Sequence, residues 1–167
     1  LPCTRFAFTS ALTVAASDTP GDSSTLHCAG LLPAGSAALE MLSRLLDQGY
    51  TSFKWKAGVF SREEEWRVAR RLFQKLVGRG ILRIDVNGAF STEELRAWVS
   101  FLKEFPLDYL EQPMPPGNED TAHALADEHG LTLAWDESAC SLASLQRLSR
   151  IHPGAVLVVK PSQCGEQ

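Results

Sequence analysis

Charged residues recur along this chain at the pitch of a strand–helix repeat, each at or just beyond the end of a short apolar run. Lys54 and Lys56 lie in FKWK, Asp85 in LRIDVN, Glu111 in YLEQP, Asp136 in LTLAWDE and Lys160 in VLVVKP. Steps of 29, 26, 25 and 24 residues lead from Lys56 to Asp85, Glu111, Asp136 and Lys160 in turn. A strand, a helix and two loops take up about that length of chain. If the strands are parallel neighbours, all six side chains gather at one end of one sheet. Three acids facing lysines there make a metal site beside an acid/base site.

The 167 residues suffice for one domain with a sizeable core but are short of the roughly 250 typical of a closed eight-stranded βα barrel. With 44% hydrophobic and 22% charged residues the chain reads as globular. A net charge of −4, mixed along the chain, gives no reason to expect nucleic acid or an anionic membrane as a partner. Cys3, Cys28, Cys140 and Cys164 show no C-x-x-C spacing, which argues against a structural zinc or a disulfide framework and for a reduced, cytoplasmic setting. Arg5 and the stretch from Phe6 to Ser17 loosely imitate a signal peptide, but Thr9, Ser10 and Thr13 break it and an internal helix fits better. No apolar run approaches the roughly 20 residues of a membrane span.

Residues 17–25 form a polar, Pro- and Gly-containing linker. Beyond it, strands are expected at 26–32, 51–56, 81–85, 107–111, 131–135 and 155–159. Helices alternate with them: one capped by Ser36, one opened by Ser61 and one by Ser91, a weaker one near 118–129, and a short one carrying Leu142, Leu145 and Leu148. Ser61 with Glu64, and Ser91 with Glu94, have the spacing of capping boxes. Near-continuous apolar strands alternating with helices argue for a parallel sheet with helices packed outside.

Alternation along a strand puts Lys54 and Lys56 on one face and Trp55 on the other. Two ammonium groups so close penalise each other's protonation, and partial burial adds to this, so a lysine there is placed to act as a general base. Asp85 and Asn87 likewise share a face. Carboxylates of Asp85, Glu111 and Asp136 converging without a cation would repel and take up protons, whereas a divalent ion such as Mg²⁺ resolves the conflict with oxygen ligands. Such an ion stabilises an enediolate and makes a weakly acidic α-proton removable.

These motifs, in this order and at this pitch, resemble the enolase superfamily, in its muconate-lactonising subgroup and within that the o-succinylbenzoate synthase family. FKWKAGV is similar to that family's K-x-K strand, LRIDVNG to its D-x-N strand, YLEQP and WDES to its next two ligand strands, and VKP to its distal lysine. Residues 2–12 resemble the last capping-domain helix. The resemblance implies a partial (β/α) TIM-type barrel of about six parallel strands with outer helices, truncated at both ends. Residues 1–24 would be the end of a capping domain and a linker, and 25–167 the barrel portion.

It also implies chemistry. Lys56 would take the α-proton and then help hydroxide leave, Lys54 would support it, and Lys160 would stabilise the enolate from the far face of the substrate. Asp85, Glu111 and Asp136 would hold Mg²⁺, with Asn87 and Glu137 behind them. The reaction implied is loss of water from a small carboxylate to give 2-succinylbenzoate, in menaquinone or phylloquinone synthesis. N-acylamino acid racemases, dipeptide epimerases and muconate cycloisomerases share these motifs and remain alternatives, as does a truncated remnant without turnover. An unclosed barrel is expected to expose apolar sheet edges and to show little activity alone. Oligomeric state is not legible.

Taken singly, the other polar residues read blandly. The acidic run Glu63 to Glu65 suits a helix N-terminus better than a metal site. His27, His123, His129 and His152 have no metal-binding spacing, and Trp66 and Trp98 lie on apolar helix faces. Nothing near Cys140 or Cys164 activates a thiolate.

Overall fold

The computed structural model describes residues 27–164 continuously, together with Thr4 and Ala7. The expected linker, the helix at 2–12 and the signal-peptide imitation therefore lie outside the described residues, Thr4 and Ala7 apart. Six strands, β1 (Gly30–Leu32), β2 (Ser52–Lys56), β3 (Ile81–Asp85), β4 (Leu107–Glu111), β5 (Leu133–Trp135) and β6 (Val156–Leu157), form one parallel sheet in sequential order. Helices α1 (Ala37–Asp47), α2 (Arg62–Leu76), α3 (Thr92–Leu102), α4 (Glu119–Asp127) and α5 (Leu142–Ile151) connect them, and α6 (Pro161–Cys164) follows. This is the α/β architecture expected, with strands β2, β3 and β4 close to their expected bounds. β1, β5 and β6 are shorter than their apolar runs. β1 and β6 are edge strands with one neighbour each, and β5, though internal, pairs with β4 and with β6 through only two positions each.

Side-chain alternation separates two faces. Leu32, Trp55, Ile84, Leu110 and Leu133 stand in register on the outer face, all buried beneath the helices. On the inner face Leu31, Lys54, Arg83 and Tyr109 form one layer and Lys56, Asp85, Glu111 and Ala134 the next. Asp108 is the extra residue where the β3–β4 register shifts, and its carboxylate takes a hydrogen bond from Arg83 at 2.7 Å. The apolar side of the sheet thus makes the core, and the polar side carries every charged strand residue singled out in the sequence.

Aromatic packing locks α2 and α3 onto the sheet. Trp98 is fully buried, 6.5 Å from Trp55 and 5.2 Å from Phe90 between ring centres, and Trp66, only partly buried, stacks on Phe101 at 4.6 Å. In α5 only Leu148 is buried, while Leu142 is exposed, so this helix contributes less core than its sequence pattern implies. No helix among the described residues is long and apolar enough to cross a membrane.

The expected capping boxes are half formed. Ser61 and Ser91 accept the N–H groups of Glu64 and Glu94, but Glu94 turns outward to take hydrogen bonds from Arg62 at 2.5–3.1 Å and from the Trp98 indole at 3.0 Å. An ion pair tying α2 to α3 displaces the local return bond. The complete box sits at α5, where Ser141 and Ser144 cap each other's backbone. Ser36 makes no side-chain cap.

The acidic run conceals a second role. Glu65 is 1% exposed, and its carboxylate accepts three backbone N–H groups of the loop after β2: Gly58 at 3.0 Å, Val59 at 2.9 Å and Phe60 at 3.2 Å. Gly58 sits at φ +78°, where a Cβ would fall 2.9 Å from that of Ala89. The loop that leaves Lys56 is therefore clamped from one side by a buried anion and wedged against the β3–α3 loop on the other.

Two expectations follow. Glu65→Ala, which orphans three amides, should lower unfolding stability by about 3 kcal/mol in urea titrations, with faster exchange of the 58–60 amide protons; unchanged exchange would contradict the clamp. The Arg62 guanidinium, opposed by burial and helped by the Trp98 indole, holds the Glu94 carboxyl below the usual carboxylate range. A depressed native pKa gives stability that is complete above the unfolded value, about 4.3, and is lost as pH falls through the native value. The advantage of the unaltered chain over Glu94→Gln should therefore shrink as pH drops from 7 to about 3, read from urea midpoints at each pH.

Candidate active site

Register places the site. Lys56 stands opposite Asp85 and Asp85 opposite Glu111, so strands β2, β3 and β4 end level with one another on the inner face. Glu111 stands opposite Ala134, which puts Asp136 two residues further along the same face; Ala134 stands opposite Val156, so that Lys160 follows four residues beyond. The polar ends climb around the sheet as a staggered barrel wall does.

At its centre the Lys54 ammonium lies 2.7 Å from Glu111 Oε1 and 3.0 Å from Asp85 Oδ2. Lys160 lies 2.5 Å from Asp136 Oδ2. Lys56 donates to Asn87 Oδ1, and Asn87 Nδ2 in turn donates to Glu137 Oε1 at 2.8 Å. The Asn87 N–H donates to Asp85 Oδ1 at 3.1 Å, an Asx-type turn that holds the backbone at φ +48°. Six of the eight residues named from the sequence are thus linked by hydrogen bonds and ion pairs at the carboxyl ends of the strands, and Lys160 with Asp136 forms a separate pair that adjoins them through Glu137 in the chain.

The electrostatics differ from the sequence expectation in one respect. Lys54 was expected to be pushed toward deprotonation by its neighbouring lysine. Burial does push its pKa down, but hydrogen bonds and charge from Glu111 and Asp85 outweigh burial and leave it raised. The side chains at 54 and 56 diverge to different acceptors, one to two carboxylates and the other to a neutral amide, so attraction to acids exceeds repulsion between amines. Glu111 is fully buried. Burial raises its pKa, and the nearby charges of Asp85 and Asp136 add to this against the lowering effect of Lys54.

The three acids do not form a ligating cage in this arrangement: among the described residues no three His, Cys, Asp or Glu side chains are grouped to hold a metal ion. Asp85 and Glu111 share Lys54, and Asp136 pairs with Lys160, so three acids draw on two amines. Oε2 of Glu111 nevertheless remains buried without a hydrogen-bond partner, as does Oε2 of Glu137. Such orphaned anionic oxygens are rare in native proteins and mark a donor set with unused capacity.

Gln112, which lies inside the YLEQP motif, is the neighbour of these residues that the sequence reading did not single out. It is fully buried, adopts φ +36° directly after Glu111, and links the end of β4 to the segment carrying Asp136. Besides Met114 two residues on, its side-chain partners lie 24 and 26 residues away, outside the motif. His123, His152, Cys28 and Cys140 make no hydrogen bond or ion pair with the cluster. His152 packs against His123 at 4.2 Å and Trp135 at 5.8 Å between ring centres, and Cys28 and Cys140 are exposed free thiols.

Residues 37–166 match the family described as Enolase C-terminal domain-like. Over 140 residues, 81% of this chain, the sequence is 36% identical to the o-succinylbenzoate synthase of Thermosynechococcus vestitus, of which it covers 43%. A chloromuconate cycloisomerase of Pseudomonas putida is 30% identical over 69% of this chain and 30% of its own length. The solved o-succinylbenzoate synthase of Thermosynechococcus elongatus BP-1, complexed with Mg in its active site, superposes with a TM-score of 0.86 at 31% identity, over 98% of this chain and 52% of that one. The chain thus spans about half the length, or less, of the relatives it matches. With the sequential parallel sheet and the aligned acids, the family match over most of the sequence establishes that the chain belongs to the enolase C-terminal domain-like family.

Proposed function

We propose that this chain carries the acid/base and metal-binding strand ends of a Mg²⁺-dependent dehydratase that forms 2-succinylbenzoate, the aromatic acid of menaquinone or phylloquinone synthesis. The observation that carries this reading is the Lys54 ammonium held between Asp85 and Glu111, with Lys56 beside it on the same face and Lys160 paired with Asp136. The donor set suits a hard divalent cation, since three carboxylates from successive strands offer oxygen alone and Glu111 Oε2 has no other partner. Asp85, Glu111 and Asp136 would hold the ion. When bound, it supplies stabilisation of the negative charge that builds on a substrate carboxylate as its α-proton leaves.

The lysines divide the remaining work. Lys56 makes no ion pair among the described residues and rests on the neutral Asn87 amide. An amine not fixed by carboxylates is free to take a proton from the α-carbon and return it to the departing hydroxyl. The Cα–H pair then becomes the new double bond, the C–O bond breaks, and hydroxide leaves as water with the proton from Lys56. Loss of water giving an aromatic ring requires a β-hydroxylated cyclohexadiene carboxylate as substrate. Lys54, fixed as a cation, adds positive potential beside the base, and Lys160 adds it from the opposite side. Asn87 and Glu137 hold Lys56 at its station.

A cycloisomerase or epimerase begins with the same proton transfer, and the similarity to a chloromuconate cycloisomerase keeps that second reading in view. Ultraviolet absorbance distinguishes them, because only the dehydratase converts the cyclohexadiene acid to an aromatic one. Turnover of that substrate should stop on chelation and return with added Mg²⁺. Lys56→Ala should lower it by about 10³-fold while leaving the thermal midpoint unchanged. Turnover that persists in chelator, or at a normal rate without Lys56, would exclude the mechanism.

A further inference from the structure

One residue touches the ends of all three strands that carry the acids. The Gln112 N–H donates to Ala134 O on β5 at 2.8 Å, and its carbonyl accepts the Gly88 N–H, just beyond β3, at 2.6 Å. Its side chain then reaches past the end of β5. Oε1 accepts the N–H groups of Asp136 and Ser138, both at 3.1 Å, while Nε2 donates to Met114 O at 2.9 Å and Ser138 Oγ at 2.8 Å. Both amide hydrogens and both oxygen lone pairs are used, in a side chain with no solvent exposure.

The consequence is geometric. β4 and β5 pair through only two residue positions, Leu110 with Leu133 and Glu111 with Ala134, and strand pairing stops before Asp136. Beyond that point the Gln112 side chain takes over the role of a ladder. It caps the short 3₁₀ turn Glu137–Ala139 and fixes the backbone from which Asp136 projects. The left-handed backbone at Gln112 turns the side chain across the strand gap, a conformation uncommon for a non-glycine residue and sustained here by six hydrogen bonds. A buried amide satisfied this completely has no tolerance for rotation, because any turn leaves a donor or acceptor unpaired.

We propose that Gln112 is a positioning residue that sets the separation of the Asp136 and Glu111 carboxylates and thereby the affinity of the site for a divalent cation. The inference rests on the metal-site reading above. It assigns the role to a neutral side chain that touches neither ion nor substrate, acting through the backbone of a ligand.

The test is metal affinity measured apart from turnover. Mn²⁺ binding to the full chain is followed by electron paramagnetic resonance, with Mg²⁺ competition, at a temperature where circular dichroism shows each variant folded. Q112M conserves volume but removes all four side-chain hydrogen bonds, and it should weaken Mn²⁺ and Mg²⁺ binding about 10- to 100-fold. S138A removes a single partner of the amide and should weaken binding by about threefold, the size of one neutral hydrogen bond. A residue with a merely structural role would lower the melting temperature and leave the affinity of the folded protein unchanged. Unaltered affinity in folded Q112M overturns the proposal, and if Q112M does not fold, unaltered affinity in S138A does so. Failure of the unaltered chain to bind either ion overturns the metal-site reading itself, an outcome distinct from both.

Discussion

Level pairing of β2, β3 and β4 is the constraint on which this site depends. Parallel strands have evenly spaced ladders, so once Lys56 lies opposite Asp85, and Asp85 opposite Glu111, three charged groups from stretches 25 to 30 residues apart must share one height and one face. A slip of one residue in any of these strands would send its charge into the apolar layer formed by Trp55, Ile84 and Leu110. The cost of burying an unpaired charge there enforces the register, and the register assembles the site. Packing and chemistry are therefore selected by the same alternation.

Electrostatic balance at the strand ends comes from pairing across strands. Acids and amines brought this close in a half-buried setting find one another, which is why Lys54 remains a cation despite its lysine neighbour, while burial raises the Glu111 carboxyl against the lowering effect of Lys54. The division between Lys54, bound to two carboxylates, and Lys56, bound to one neutral amide, gives the two amines different chemical availability. That asymmetry separates a supporting cation from a base in the proposed mechanism.

Two buried polar side chains hold the loops around these groups. Glu65 gathers the amides that follow Lys56, and Gln112 accepts those of Asp136 and Ser138 while donating to Met114 O. Both replace backbone pairing at places where the strands have ended but the reactive groups have not. Scaffolds of this kind allow catalytic residues to sit on irregular backbone without losing position.

Much of this was legible in the chain alone. Apolar runs, serine caps and a repeat length suited to strand–helix units determine a parallel sheet with outer helices, and the charges at the run ends determine which face is polar, because these signals are local and periodic. The same signals overstate β1, β5 and β6, since an apolar run does not reveal how many of its residues will find a ladder partner. Glu94 satisfies a local capping pattern yet bonds Arg62, and Glu65 lies in an acidic run that looks solvated yet is buried. Gln112 lies within the YLEQP motif, yet nothing local reveals that its side chain is buried against Asp136 and Ser138, more than twenty residues distant. Sequence by itself determined the elements, their order and which charged residues stand together at the strand ends. Only the tertiary structure decided which amine meets which acid and what fixes the backbone between them, because those choices depend on distances across strands that no periodicity along one strand encodes.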